Sequence, residues 1–191
     1  MARIIERADV WTELFSDPVR LFASEKKRAS KAEASKHLLL GVFIFSVLYA
    51  ATFTLLPNMP TYARPMSLPR MALFTVFNTV IGFAAAFLVI ALNYVVARAF
   101  GGRASFDQHF HLSAVIVAPT LVLYYVCRLF PGIGFLLALL VLAYYVFANL
   151  TMLVWVHGLT YPQAFAALFV PSLILLLALV STGIAVQAAV I

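Results

Sequence analysis

Asp107, His109 and His111 in one short polar stretch and His157 in another are the residues closest to a reactive constellation in this chain. Brought together, three imidazoles and a carboxylate would suit a zinc-like ion, which takes about four nitrogen, oxygen or sulfur ligands. That requires the two stretches to adjoin. The spacing argues against a shared site, because His109 and His111 stand two positions apart and helical residues at that spacing face different ways. Histidines that cap helices or sit at a membrane boundary are the plainer expectation, and no metal or cofactor is assigned. Gly101-Gly102 is too short to read as a phosphate loop. Neither a buried carboxylate pair nor a Ser/His/Asp set is evident, so the chain is read as non-enzymatic. Cys127 is the single cysteine, which excludes an intramolecular disulfide or a multi-cysteine metal site.

The elements that must position these residues are apolar to a degree that water does not support. Of 191 residues, 64% are hydrophobic and 10% charged, against roughly 45–50% and about 25% in soluble domains. Eight of the thirteen Lys and Arg residues precede His37, mixed with six of the seven acids, and residues 129 to 191 carry no charged side chain. A net charge of +6 distributed this way is topological information rather than a nucleic-acid footprint. The expected fold is an all-α integral membrane protein. Residues 1–36 form a charged cytoplasmic segment, and residues 37–191 form a domain of five transmembrane helices over about 38–56, 71–97, 112–129, 133–156 and 164–190. The first apolar run is longer than the 7–15 residues of a signal peptide, so it is expected to stay as an anchor. Counting Lys and Arg near the span ends puts ten on the N-terminal side against three, Arg64, Arg70 and Arg128, on the other. The N-terminus is therefore expected in the cytoplasm and the C-terminus outside.

Ahead of the spans, Ile4, Ala8, Trp11 and Phe15, with Ile5 and Leu14, share one face of an amphipathic helix. It would lie either on the leaflet, with Trp11 and Phe15 at headgroup depth, or on the protein's own spans. Asp17-Pro18 then starts a second helix, Asp17 as N-cap and Pro18 at the first position. Lys26, Lys27, Arg28, Lys31 and Lys36 could attract anionic lipid, an effect opposed by Glu25 and Glu33. Between the first two spans, Pro57, Pro60, Pro65 and Pro69 favour an extended path. Phe130-Pro131-Gly132 forces the third and fourth spans into a tight hairpin.

The loops after the second and fourth spans share a pattern: Gly, a short gap, Ser or Thr, Phe or Tyr, any residue, Gln, any residue, Phe. Gly102 to Phe110 fits it and so does Gly158 to Phe165. Pro119-Thr120-Leu121 is answered by Pro171-Ser172-Leu173. Helices two-three and four-five are read as an internal repeat about an axis along the membrane normal, both loops facing the cytoplasm. Ser105 and Thr160 would cap the following helices. Pro119 and Pro171 are expected to kink them, which could open a cavity or serve packing alone. Asn78 and Asn149 are expected to bond between helices.

Asp17-Pro18-Val19-Arg20-Leu21-Phe22, Phe100-Gly101-Gly102 with Ser105-Phe106 and Gln108, and Pro119 together make the chain resemble the Yip family, the Ypt/Rab-GTPase-interacting membrane proteins, and above all its short prokaryotic members. The resemblance implies a five-span bundle, no enzymatic activity, and complexes with related membrane proteins. The long Pro- and Gln-rich N-terminal region of eukaryotic members is not present here, so a small GTPase is expected as partner only in a eukaryotic setting. The expected location is a prokaryotic cytoplasmic membrane, with endoplasmic reticulum or Golgi as the alternative. The expected role is a scaffold or adaptor for a membrane-protein partner, a second copy or the lipid bilayer. It would act through a cytoplasmic face of Trp11, Phe15, Gly101, Gly102, Phe106, Asp107, Gln108, Tyr161 and Gln163. The alternative role is a small transporter or channel with a pathway between the repeated helix pairs. Nucleic acid is not an expected partner.

Overall fold

A computed structural model describes residues 10–55, 67–130, 132–171 and 173. Among these the chain is entirely helical, without strands. In chain order the helices are α1 (10–16), α2 (Pro18–Arg28), α3 (Lys31–Leu55), α4 (Leu68–Ala99), α5 (Phe106–Arg128), α6 (Gly134–His157) and α7 (161–171). Helices α3 to α6 are each long and apolar enough to cross a membrane. Ile4, Ile5, Ala8, Pro57, Pro60, Pro65, Pro131 and the fifth expected span beyond α7 lie outside the described residues.

Local chemistry sets the boundaries. Asp17 caps α2 as expected, its carboxylate accepting the Arg20 N–H at 3.0 Å with Pro18 at the first position. Ala29 and Ser30 interrupt the helix, and the Ser30 hydroxyl accepts the Glu33 N–H at 3.2 Å to open α3. α4 closes on Gly101, whose φ of 87° suits a residue without Cβ. The N–H of Gly101 reaches the carbonyl of Arg98 at 3.0 Å and that of Gly102 reaches Ala97 at 2.9 Å, the paired bonds of a Schellman end. α5 opens with a complete capping box between Ser105 and Gln108. At the start of α7 only half of that device forms. Gln163 accepts from the Thr160 N–H at 3.0 Å, while the Thr160 hydroxyl donates to Gln163 instead of capping a backbone amide.

α3 and α5 run parallel in close contact. Lys31 meets Asp107 at one end, Gly41 lies against Ala118 midway, and the Tyr125 hydroxyl donates to Thr52 at 2.7 Å toward the other end. A Cβ on Gly41 would stand 2.5 Å from the Ala118 Cα, so the backbones approach as closely as small residues permit. α4 is antiparallel to α3, and the expected interhelical bond from Asn78 is present, donated to Ser46 at 2.8 Å. Asn149 departs from expectation. Its amide bonds the Tyr145 carbonyl one turn back in its own helix, a partner that is always within reach of a helical side chain.

Two apolar cores share α5. On one side Phe110 and Ala114 pack with Ala34, Leu38 and Val42 of α3 and Ile90 of α4. On the other, Leu112, Val115 and Ile116 pack with Met152, Leu153 and Val156 of α6 and with Ala164, Ala167 and Leu168 of α7. Leu14, Leu21 and Phe22 are fully buried in this second core. In its described part, from residue 10 onward, the N-terminal segment therefore packs on the bundle. α4 faces outward, with Leu73, Phe77, Val80 and Leu88 exposed.

The Gly41 contact yields a comparison. Gly41→Ala drives a methyl into backbone and is expected to destabilise the detergent-solubilised protein by about 1–3 kcal/mol. A Cβ at Gly82 meets only the Val42 Cγ1 methyl, which can rotate away, so Gly82→Ala should cost less. Thermal melting of both variants checks this; equal losses would contradict a backbone-limited crossing.

Candidate functional site

The polar residues singled out in the sequence gather at the bundle end formed by α2, the starts of α3 and α5 and the finishes of α4 and α6. The two motif loops adjoin there. The Arg103 N–H donates to the His157 carbonyl at 3.0 Å, and the Arg98 guanidinium donates to the Gly102 carbonyl at 2.7 Å. Gly102 is required by space, since a Cβ would come within 2.5 Å of His157 Nδ1 and 2.7 Å of the Ala97 carbonyl oxygen. Lys26 reaches from α2 to the Val156 carbonyl at 3.4 Å.

Under these loops lies a chain of buried imidazoles. His109 Nε2 is 3.1 Å from the Ile90 carbonyl oxygen and His109 Nδ1 is 2.9 Å from His157 Nε2. A carbonyl only accepts, so His109 carries its proton on Nε2. Its Nδ1 then accepts from His157 Nε2–H, which leaves His157 Nδ1 a bare lone pair against Gly102. This assignment follows from the partners and uses both rings in the neutral form. Two residues on, just over half a turn, His111 faces the opposite way and donates from Nε2 to Glu25 Oε2 at 2.8 Å. The His37 ring meets His111 edge-on, centroids 5.9 Å apart. Glu25 is 7% exposed. The hydrogen bond from His111, reinforced by the charges of His111, Arg28 and His37 and opposed by burial, holds the Glu25 carboxyl below its ordinary range.

The structure thus separates residues that a metal site would have joined. His109 and His157 converge, but His111 turns to Glu25 and Asp107 pairs with Lys31 at 3.3 Å. No group of three or more metal-ligating side chains occurs among the described residues. His109, His111 and His157 are all buried and hydrogen-bonded within this end of the bundle, so none presents its ring at the surface. Gln108 and Gln163 serve as caps. Phe106 packs among Phe87, Tyr94 and Phe110. Trp11 is half-buried, whereas Phe15 is exposed beside Tyr144, whose hydroxyl donates to the Leu14 carbonyl. Tyr161 is exposed. Glu25 and His37 were missed as partners. The available signal was a carboxylate on the apolar stripe of α2, since Leu21, Phe22 and Glu25 share one helical face.

Pro119 and Pro171 are buried within helices. A cavity of about 300 Å³ near Pro119, between α5 and α6, is lined by Val117, Thr120, Leu121, Tyr124, Val141, Leu142 and Tyr145. Its lining is mostly apolar, which does not favour a transport pathway.

Two outcomes follow for this end. Because the folded state favours ionised Glu25, the carboxylate's stabilising contribution is complete above the ordinary glutamate range. It is lost as pH falls through the lowered folded-state value. Proteolytic protection of α2 should therefore be constant near neutrality and decline in acid. Glu25→Gln should lower protection at neutral pH by about 1–3 kcal/mol and reduce the acid dependence; an unchanged acid profile would contradict the pairing. Separately, Gly102→Ala should expose the 102–105 loop to hydrogen exchange, because the added methyl cannot share space with His157.

No match was found among curated proteins or among solved structures. The Yip1 domain family does match, over residues 12–182, a range that takes in α2, both motif loops and the buried histidines. This chain accordingly belongs to the Yip1 domain family of membrane proteins.

Proposed function

We propose that this Yip1-family chain acts as a non-enzymatic scaffold or adaptor in a prokaryotic cytoplasmic membrane. Five spans, an anchor helix followed by helices two-three and their repeat in helices four-five, would carry a cytoplasmic end that docks another membrane protein or a second copy. The observation that carries this reading is a division of labour at that end. Its histidines, Glu25, Gln108 and Gln163 are consumed in holding α2 and the loops together, while large aromatic side chains face outward. Tyr161 is 67% exposed and begins a stripe at helical spacing with Phe165 and Phe169, whose rings stack 4.2 Å apart. Rigid aromatic groups give large contact area at low entropic cost, which suits recognition of a partner helix. The ten-to-three excess of basic residues supports the cytoplasmic placement.

Photo-crosslinking groups at Tyr161 and Phe15 in native membranes test the reading. A discrete protein adduct from Tyr161 is expected. Recovery of lipid alone from both positions would defeat the protein-partner role.

A further inference from the structure

The basic residues at this end outnumber the acids, and among the described residues the structure shows where each acid is spent. Glu25 points inward to His111, Glu33 pairs with Lys36, Asp107 pairs with Lys31, and Glu13 lies 3.6 Å from Arg20. Asp17 caps the Arg20 amide. The lipid attraction that Glu25 and Glu33 would oppose is thereby freed of its nearest counter-charge, and the cations involved change. Lys31 and Lys36 are occupied, while Lys27, Arg28 and Arg103 are exposed; Arg28 has only a 4.0 Å contact with Glu25. Lys26 and Arg98 bond to neutral backbone carbonyls, which bring no counter-charge.

These cations converge on one place. Lys26 reaches the Val156 carbonyl, the Arg103 amide reaches the next carbonyl, His157, and Arg98 holds the corner that positions Arg103. The plainer explanation is capping of the α6 C-terminus. That terminus carries only about half a negative charge, too little to balance Lys26, Arg98 and Arg103 together. Trp155, on the last turn of α6 and 63% exposed, and Tyr161 flank the same point, a pairing suited to headgroup depth.

We propose that the last turn of α2 and the 98–103 corner form a basic collar that binds the headgroups of anionic phospholipids in the bordering leaflet. The collar is independent of any protein partner on the neighbouring aromatic stripe. Each surface Lys or Arg near an anionic leaflet contributes on the order of a fivefold preference, weakened by salt.

The chain has two tryptophans, so Trp11→Phe leaves Trp155 as the reporter beside the collar. The full chain is reconstituted in phosphatidylcholine vesicles containing brominated phosphatidylglycerol or, in parallel, brominated phosphatidylcholine. Phosphatidylglycerol should quench Trp155 with a relative binding constant at least about threefold above phosphatidylcholine, falling toward one in high salt. Replacing Lys27, Arg28 and Arg103 by Gln should abolish the preference. Lys31→Gln, which removes a paired lysine, and Arg70→Gln, at the opposite end of α4, should retain it. Equal quenching by the two lipids, a preference insensitive to salt, or equal loss in the Arg70→Gln control would overturn the proposal.

Discussion

A carboxylate withdrawn from water into an apolar helix junction costs several kcal/mol unless it is paired and hydrogen-bonded. Glu25 is such a group, and the arrangement of this end depends on how it is satisfied. Among the described residues its hydrogen-bond partner is His111, on the α2-facing side of α5, and this bond sets the register in which α2 docks. In that register Leu21 and Phe22 enter the core beside Met152 and Leu153, and Lys26 reaches the end of α6. The polar pin selects the position, and the apolar burial around it supplies the stability.

α5 can serve both cores because its neighbours come close on every side. The Gly41–Ala118 contact brings α3 to backbone distance, and the loop after α4 folds against His157 where Gly102 leaves space. Adjacent polar residues on α5 are thereby sent to different partners, His109 inward to Ile90 and His157, His111 to α2. A surface helix could not hold both, since one of the two rings would face solvent or lipid. In a medium that offers few hydrogen bonds, internal pairing of this kind replaces water as the partner of buried polar groups.

Function in this Yip1-family chain is read from what the end leaves outside. Groups suited to chemistry are turned inward and matched with one another, while aromatic rings and uncompensated cations remain at the rim. On the reading proposed above, aromatic surface and basic charge serve to recognise membrane components. The proposed partner docking on the aromatic stripe and headgroup binding at the collar are compatible uses of adjoining surfaces.

Composition and periodicity alone determined that the chain is a helical membrane protein, because burial in lipid demands long uncharged segments and internal backbone hydrogen bonding. The helix starts at Asp17-Pro18 and at Ser105-Gln108 were equally legible, since caps depend on residues a turn apart. The opposed directions of His109 and His111 followed from helical spacing. The pairing of Glu25 with His111, 86 positions away, was not legible, nor were the neutral His109–His157 chain and the seating of α1 and α2 on the bundle. Local pattern states which face of a helix is apolar and which residues bear charge. Only the packing of helices distant in sequence decides which polar groups meet, because that depends on backbone approach distances set by residues such as Gly41 and Gly102.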